Sequence, residues 1–254
     1  MIKQEFIEHT KTVRSWIIAM IASWDDDLDK ITNLLMKYVG TPEQMNLFDK
    51  KVDSWFIAQF QEMNIIGING TKNNEAWISN LDGFGKYFHD GIFDATHDTI
   101  LQECPNIKNI RKNTLISGQS RGGLIALFLN YLLKGQGYEN VESFGFANPF
   151  GTTDAGKENM HRLGIRHTNF VTDPFGSLPS DPTDDVGVIR GGHYGHVETL
   201  YGGAGVFDHS YLNITYKLIA WFLKQYNEKH EHKCLQDAIF LAGLIEKGND
   251  LIKK

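Results

Sequence analysis

The pentapeptide Gly118-Gln119-Ser120-Arg121-Gly122 stands between two apolar runs of different habit, and it restricts the folding of the chain more than any other stretch. Before it, the apolar residues from Thr114 to Ser117 read as a short buried strand. After it, Leu124, Leu127, Phe128 and Tyr131 recur at three- and four-residue spacing and predict a helix over 120–134. A strand that becomes a helix within so few residues brings the two backbones together on either side of the serine. The positions two before and two after it, Gly118 and Gly122, must therefore be small. Such a turn holds the Ser120 hydroxyl over the carboxyl end of a sheet. It also leaves the Arg121 N–H at a helix start, where a developing oxyanion can accept it. The competing reading makes Ser120 a simple helix N-cap, but capping asks for no glycine on both sides.

Three further apolar runs resemble the first: Met63 to Asn69, Val141 to Ala147 and Ile165 to Val171. Strand, helix and strand at this spacing imply parallel pairing with right-handed crossovers, hence an α/β fold with a mostly parallel central sheet flanked by helices. The first quarter of the chain is read as helical. Phe6, Val13, Ile17, Met20 and Ile21, then Leu28, Ile31, Leu34, Leu35 and Tyr38, follow helical spacing. The motif Gly40-Thr41-Pro42-Glu43 predicts a break, with Thr41 as N-cap and Pro42 opening another helix that ends near Gln61. Asn213 to Tyr226 and Leu235 to Ile252 predict closing helices. The expectation is a single domain over 1–254: a helical N-terminal extension (1–62) packed on a catalytic core (63–212), then C-terminal helices (213–254).

In 254 residues, 41% of them hydrophobic, there is material for one sizeable core. The net charge of −6, with scattered basic residues, argues against a nucleic acid partner. Cys104 and Cys234 lie in no C-x-x-C pair and are expected to be reduced, packed thiols. The early apolar run Trp16 to Ala22 is far too short to span a membrane. Glu5 and Glu8 interrupt the basic residues before it, so neither an integral membrane segment nor a signal peptide is expected, and the default is a soluble, cytoplasmic protein.

A serine set in such a turn needs an acid at the end of a later strand and then a histidine. Asp173 directly follows the run Ile165 to Val171 within Thr172-Asp173-Pro174, where it would orient an imidazole and stabilise its charged form. Asp154, Asp181, Asp184 and Asp185 compete for that role. His209 enters a closing helix and is the preferred base, with His196 as the alternative and His193 also downstream. No His-x-x-x-His pair lies on a helix there, so neither a metal nor a cofactor is expected.

With these residues placed, the chain resembles the class 3 lipase family, which includes the secreted fungal lipases and has the α/β-hydrolase fold. The resemblance runs from about Ile65 to Leu212. It is carried by Ile68-Asn69-Gly70-Thr71, by Phe88-His89-Asp90-Gly91-Ile92-Phe93, by Phe146-Ala147-Asn148-Pro149 and by Thr172-Asp173-Pro174-Phe175-Gly176-Ser177-Leu178-Pro179. It implies an oxyanion hole built from Thr71 and the Arg121 backbone, a catalytic Asp173, and a structural histidine at Tyr194-Gly195-His196 with the catalytic one later. It also implies a lid over 74–81, with Asn74, Trp77 and Leu81. Asn69 stands where the family usually has arginine, Arg121 where it has leucine, and Ala147 where it has glycine. The charged residue beside the nucleophile and the polar stretch at Lys72 to Glu75 suggest a polar mouth.

The expected activity is that of a serine hydrolase, an esterase or lipase cleaving acyl esters, lipid-derived ones among them, through an acyl-enzyme. The alternatives are a thioesterase or amidase using the same catalytic triad, or an inactive binding or structural module on the same fold.

Overall fold

A computed structural model of the chain describes residues 1–24, 27–49, 53–70, 88–101, 113–148, 151–172, 194–200, 210–247 and 250–252. The helices α1 (Gln4–Glu8), α2 (Lys11–Ala22) and α3 (Leu28–Tyr38) come first. They are followed by the strands β1 (Gln44–Asp49), β2 (Ser54–Gln59) and β3 (Met63–Ile68). Helix α4 (Asp90–Ala95) runs into a wider turn, Thr96–Leu101, and precedes β4 (Asn113–Gln119), α5 (Arg121–Gly135), β5 (Val141–Phe146) and α6 (Asp154–Arg162). The chain closes with β6 (His167–Thr172), β7 (His196–Leu200), α7 (Tyr211–Lys229) and α8 (His232–Glu246).

The seven strands form one sheet in the order β1-β2-β3-β4-β5-β6-β7. The pairs β1–β2 and β2–β3 are antiparallel, and every later pair is parallel. Because the order never reverses, crossovers of one hand carry their helices to one face. Phe88 and Ile92 near α4, Leu124 to Leu129 of α5, and Met160 of α6 accordingly share one core with Trp55, Ile66, Ile68 and Ile116 of the strands. The opposite face carries Phe56, Ile65, Leu115, Phe144, Phe146 and Phe170. The two ends of the chain cover it: α2 and α3 from the start, α7 and α8 from the finish.

The stretch 41–61 departs from the expected helix. Gly40, at φ +143°, ends α3, and a Cβ there would lie 2.3 Å from the Met1 carbonyl oxygen. Strands β1 and β2 then pair antiparallel, with Met45 opposite Ala58 and Leu47 opposite Phe56. The physical reason is two-sided burial. Trp55 and Ile57 of β2 face the α5 side while Phe56 and Ala58 face the α2 side, so the strand reads as an unbroken apolar run whose period of two is hidden. The N-terminal segment is thus no helical appendage. It supplies one edge of the sheet and half of a covering layer.

Helix α2 is the centre of that layer. The Ser117 Oγ of β4 donates to the Ser15 carbonyl at 2.7 Å, and the Trp16 Nε1 donates to the Thr215 Oγ1 of α7 at 3.0 Å. The Trp16 ring lies 4.8 Å from that of Phe146 and 5.3 Å from that of Tyr211. At the far end the fully buried Asp237 of α8 accepts from the Thr10 N–H at 3.0 Å and pairs with His9 Nδ1 at 2.7 Å. The C-terminal helix is thereby fastened to the start of α2. Among the described residues no helix is long and apolar enough to cross a membrane.

If α2 is a core layer, Trp16→Ala should cost about 3–5 kcal/mol, as for other fully buried large aromatics. An appended helix would tolerate the change with a loss of under about 1 kcal/mol. Urea unfolding followed by far-UV circular dichroism distinguishes the two.

Candidate functional site

Ser120 sits between the last residue of β4 and the first of α5 with φ +57° and ψ −131°, a combination that non-glycine residues seldom adopt. Its side chain makes no capping hydrogen bond to the helix. This removes the reading of Ser120 as an N-cap. The turn is held by the Ser120 N–H donating to the Phe146 carbonyl at 2.8 Å and by the Gly123 N–H donating to the Ser120 carbonyl at 2.9 Å.

The flanking glycines are required by contact. A Cβ on Gly118 would lie 2.3 Å from the Gly122 carbonyl oxygen, and one on Gly122 would lie 2.3 Å from that of Asn69 and 2.6 Å from that of Ile68. Helix α5 therefore starts with its backbone pressed against the end of β3. Gly70 completes the contact, its Cα hydrogen directed at Gln119 and Ser120: a Cβ there would come to 3.5 Å from the Ser120 Cβ. The chain leads on from Gly70 to Thr71, which lies outside the described residues, as do Asn74, Trp77 and Leu81.

The Arg121 side chain does not supply the polar mouth expected of it, and the Lys72 to Glu75 part of that expectation lies outside the described residues. The Arg121 side chain is fully buried, pointing away from solvent into a forked pair with Asp53: Nε donates to Oδ1 at 2.8 Å and an Nη to Oδ2 at 3.1 Å. Asp53 immediately precedes β2 and is itself buried. A guanidinium fork matched to a carboxylate is among the strong hydrogen-bonded arrangements, and breaking such a buried pair costs about 3–5 kcal/mol. Nothing in the sequence around Asp53 signals this role. The Arg121 N–H opens α5, where no helical carbonyl precedes it by four residues.

Strand register locates the remaining residues. Gln119 of β4 pairs with Phe146 of β5, Phe146 with Phe170 of β6, and Phe170 with Glu198 of β7. Strand β6 ends at Thr172, and the next residue in the chain is Asp173, outside the described set. Of its competitors, Asp154 projects into solvent in the first turn of α6 and pairs with Lys157 at 3.1 Å. Asp181, Asp184 and Asp185 lie outside the described residues, as do His193 and Cys104.

His196 opens β7, three strands from β4, a separation of roughly 14 Å at about 4.8 Å per strand. Its exposed imidazole bonds Glu198 Oε1 at 2.7 Å, and the second oxygen of Glu198 accepts from the Trp221 Nε1 at 3.1 Å. These contacts tie β7 to α7 and set His196 beyond hydrogen-bonding reach of Ser120. His209 is outside the described residues, but Ser210, directly after it, caps α7 by accepting from the Asn213 N–H at 3.2 Å. The first turn of α7 lies at the Ser120 end of the sheet, because Tyr211 stacks on Trp16 and Trp16 packs on Phe146.

A polar network beneath the turn escaped the sequence reading. Asn130 of α5 donates to Ser143 Oγ at 2.9 Å, and Ser143 Oγ lies 2.7 Å from His167 Nδ1. His167 Nε2 lies 3.0 Å from Asn169 Oδ1, which also accepts from Asn148 at 2.7 Å. Asn169 in turn donates to the Tyr194 carbonyl at 2.6 Å, and burial pushes the Tyr194 phenol pKa up. The network joins α5, β5 and β6 below the Asp173 end. Its sequence signal is the alternation of Ser143 with Gly145 in β5 and of His167 with Asn169 in β6.

The sequence matches no family model and no curated protein. Solved structures do match. A variant of MDLA from Penicillium cyclopium aligns at TM-score 0.53 and 14% identity, over 77% of this chain and 81% of that one. The lipase from Rhizopus microsporus var. chinensis aligns at TM-score 0.52 and 15% identity, over 68% and 69%. The chain has the α/β-hydrolase fold. It spans 62% of the Rhizomucor miehei lipase in its propeptide complex, at 15% identity, TM-score 0.47 and with 66% of this chain covered. Within that fold Ser120 occupies a strand-to-helix elbow at the carboxyl edge of the sheet.

The strain at Ser120 is measurable. Alanine and glycine both remove the hydroxyl, and at an ordinary helix or strand position glycine is the less stable by about 0.5–1 kcal/mol. At φ +57° the order should invert, with Ser120→Gly more stable than Ser120→Ala by about 1 kcal/mol. Equilibrium urea unfolding of both variants gives the sign, and a more stable alanine variant would show that the backbone is relaxed there.

Proposed function

We propose that the protein is a serine hydrolase that cleaves acyl esters, with Ser120 as nucleophile, His209 as base and Asp173 as the acid that orients it. The observation that carries the reading is the elbow itself: a serine, not a glycine, held at positive φ by backbone contacts on both sides. Strain of about 1–3 kcal/mol at one residue is retained where the geometry it enforces is used.

In the proposed reaction His209 takes the Ser120 hydroxyl proton as Oγ bonds to the ester carbonyl carbon. The carbonyl oxygen becomes an oxyanion, bound by the Arg121 N–H and Thr71. When the tetrahedral intermediate collapses, the ester C–O bond breaks, His209 gives its proton to the departing alcohol, and an acyl-Ser120 ester remains. Water then adds to that ester and gives one proton to His209. On collapse that proton returns to Ser120, and the carboxylic acid leaves. The described geometry is compatible with these roles: β6 stops one residue before Asp173, and α7 begins two after His209, under the same edge of the sheet. The same chemistry serves thioesters and amides, and the lipid character of the substrate belongs to the proposal.

A fluorophosphonate probe should label the wild-type protein and fail to label Ser120→Ala. His209→Ala and Asp173→Asn should lower kcat for short-chain p-nitrophenyl esters by at least about 10³-fold, while His196→Ala leaves it within about twofold. Equal loss in the His196 and His209 variants would move the base assignment. A wild-type protein that neither labels nor hydrolyses would leave a binding module on a hydrolase fold.

A further inference from the structure

We infer that Asp53 is a positioning residue for the oxyanion hole, acting through Arg121. The inference rests on the serine-hydrolase reading above and extends it to a residue outside the triad and its two donors.

The two proposed donors come from different parts of the chain, the Arg121 N–H from the start of α5 and Thr71 from the segment that leaves β3. Their spacing depends on how these two parts are held against each other. Asp53 and Ser54 lean on both. The Asp53 carboxylate grips the Arg121 guanidinium at 2.8 and 3.1 Å, and the carbonyl of the next residue, Ser54, accepts from the Asn69 N–H at 3.0 Å. The Asn69 side chain then accepts from the Gly70 N–H at 2.8 Å, which fixes the last described residue before Thr71. The register of β2 against β3 pairs Trp55 with Ile68, so one dipeptide at the mouth of β2 meets both the start of α5 and the end of β3.

The chemistry of the pair suits this task better than a task in stability alone. Both side chains are buried, 0% exposed for Arg121 and 3% for Asp53, and desolvating two charges consumes most of what their attraction returns. A pair of apolar side chains of similar volume would fill the space at least as favourably. What the fork adds is direction: two parallel hydrogen bonds admit one side-chain geometry and so constrain the Arg121 backbone. Oxyanion stabilisation depends steeply on that placement, since donors act only within about 0.5 Å of the productive position.

The test compares wild type, Asp53→Asn and the double variant Asp53→Leu/Arg121→Leu by ester kinetics, by rate of fluorophosphonate labelling and by thermal unfolding. Folded Asp53→Asn should lose kcat about 10- to 100-fold with KM within about threefold, the signature of an interaction realised in the transition state. Its labelling rate should fall in parallel, because the phosphonyl oxygen uses the same hole. If Asp53→Asn does not fold, the double variant decides. It removes the unpaired buried charge and should recover the wild-type Tm while kcat stays low. Wild-type kcat in either folded variant overturns the inference and leaves the hydrolase reading standing. A wild-type protein that the probe does not label overturns that reading, and the inference falls with it.

Discussion

The strands enter the sheet in the order in which they occur in the chain, and the position of every helix follows from that. Successive parallel crossovers of one hand, advancing in one direction, lay their helices on one face. The other face, with Phe56, Leu115, Phe144, Phe146 and Phe170, would be left to water, at a cost of about 1.5–3 kcal/mol for each large side chain. Among the described residues no crossover helix covers it. The termini do so, and their attachment is specific: Ser15 and Trp16 bond β4 and α7, and Asp237 closes α8 onto the start of α2. The proposed reaction would rely on this arrangement, since α7 begins two residues after His209.

The elbow is the second close fit, and it is made of backbone. At Gly118 and Gly122 there is no room for side chains between β3, β4 and α5, and Gly70 packs closely on Gln119. The turn therefore cannot relax by shifting one partner away from another, and Ser120 keeps its positive φ. Ala147, at φ +52° on the neighbouring strand end, is a second non-glycine residue in the left-handed region, and its N–H donates to the Phe170 carbonyl at 2.6 Å. Two strained residues at the ends of adjacent strands, each fixed by a hydrogen bond to the next strand, mark the carboxyl edge as the place where conformational energy is stored.

The parallel part of the fold was legible because its strands are short apolar runs divided by a helix of clear spacing. The elbow was legible because Gly118, Ser120 and Gly122 lie within five residues and the contact that excludes a Cβ at Gly118 is with Gly122. The β1–β2 pair was not. With Trp55 and Ile57 on one face and Phe56 and Ala58 on the other, both faces are buried and alternation disappears, while Thr41-Pro42 imitates a helix start. The pairing of His196 with Glu198, three strands from β4, was equally hidden, since only the sheet order reveals it. Asp53 was invisible for a similar reason. It is 68 residues from Arg121 along the chain, and its pairing is a property of the folded junction.

The direction of Arg121 also changes how the site's chemistry should be read. The N–H of the residue after Ser120 opens α5, while its side chain turns into the junction between helix, β2 and β3. An arginine there says nothing about the polarity of the substrate. Asn69 and Arg121 belong to that one junction: Asn69 fastens Gly70, and Arg121 brings its guanidinium to Asp53 from the helix side. Under the proposed reaction, substrate preference would rest on side chains that face the serine hydroxyl rather than on the one that follows it in sequence.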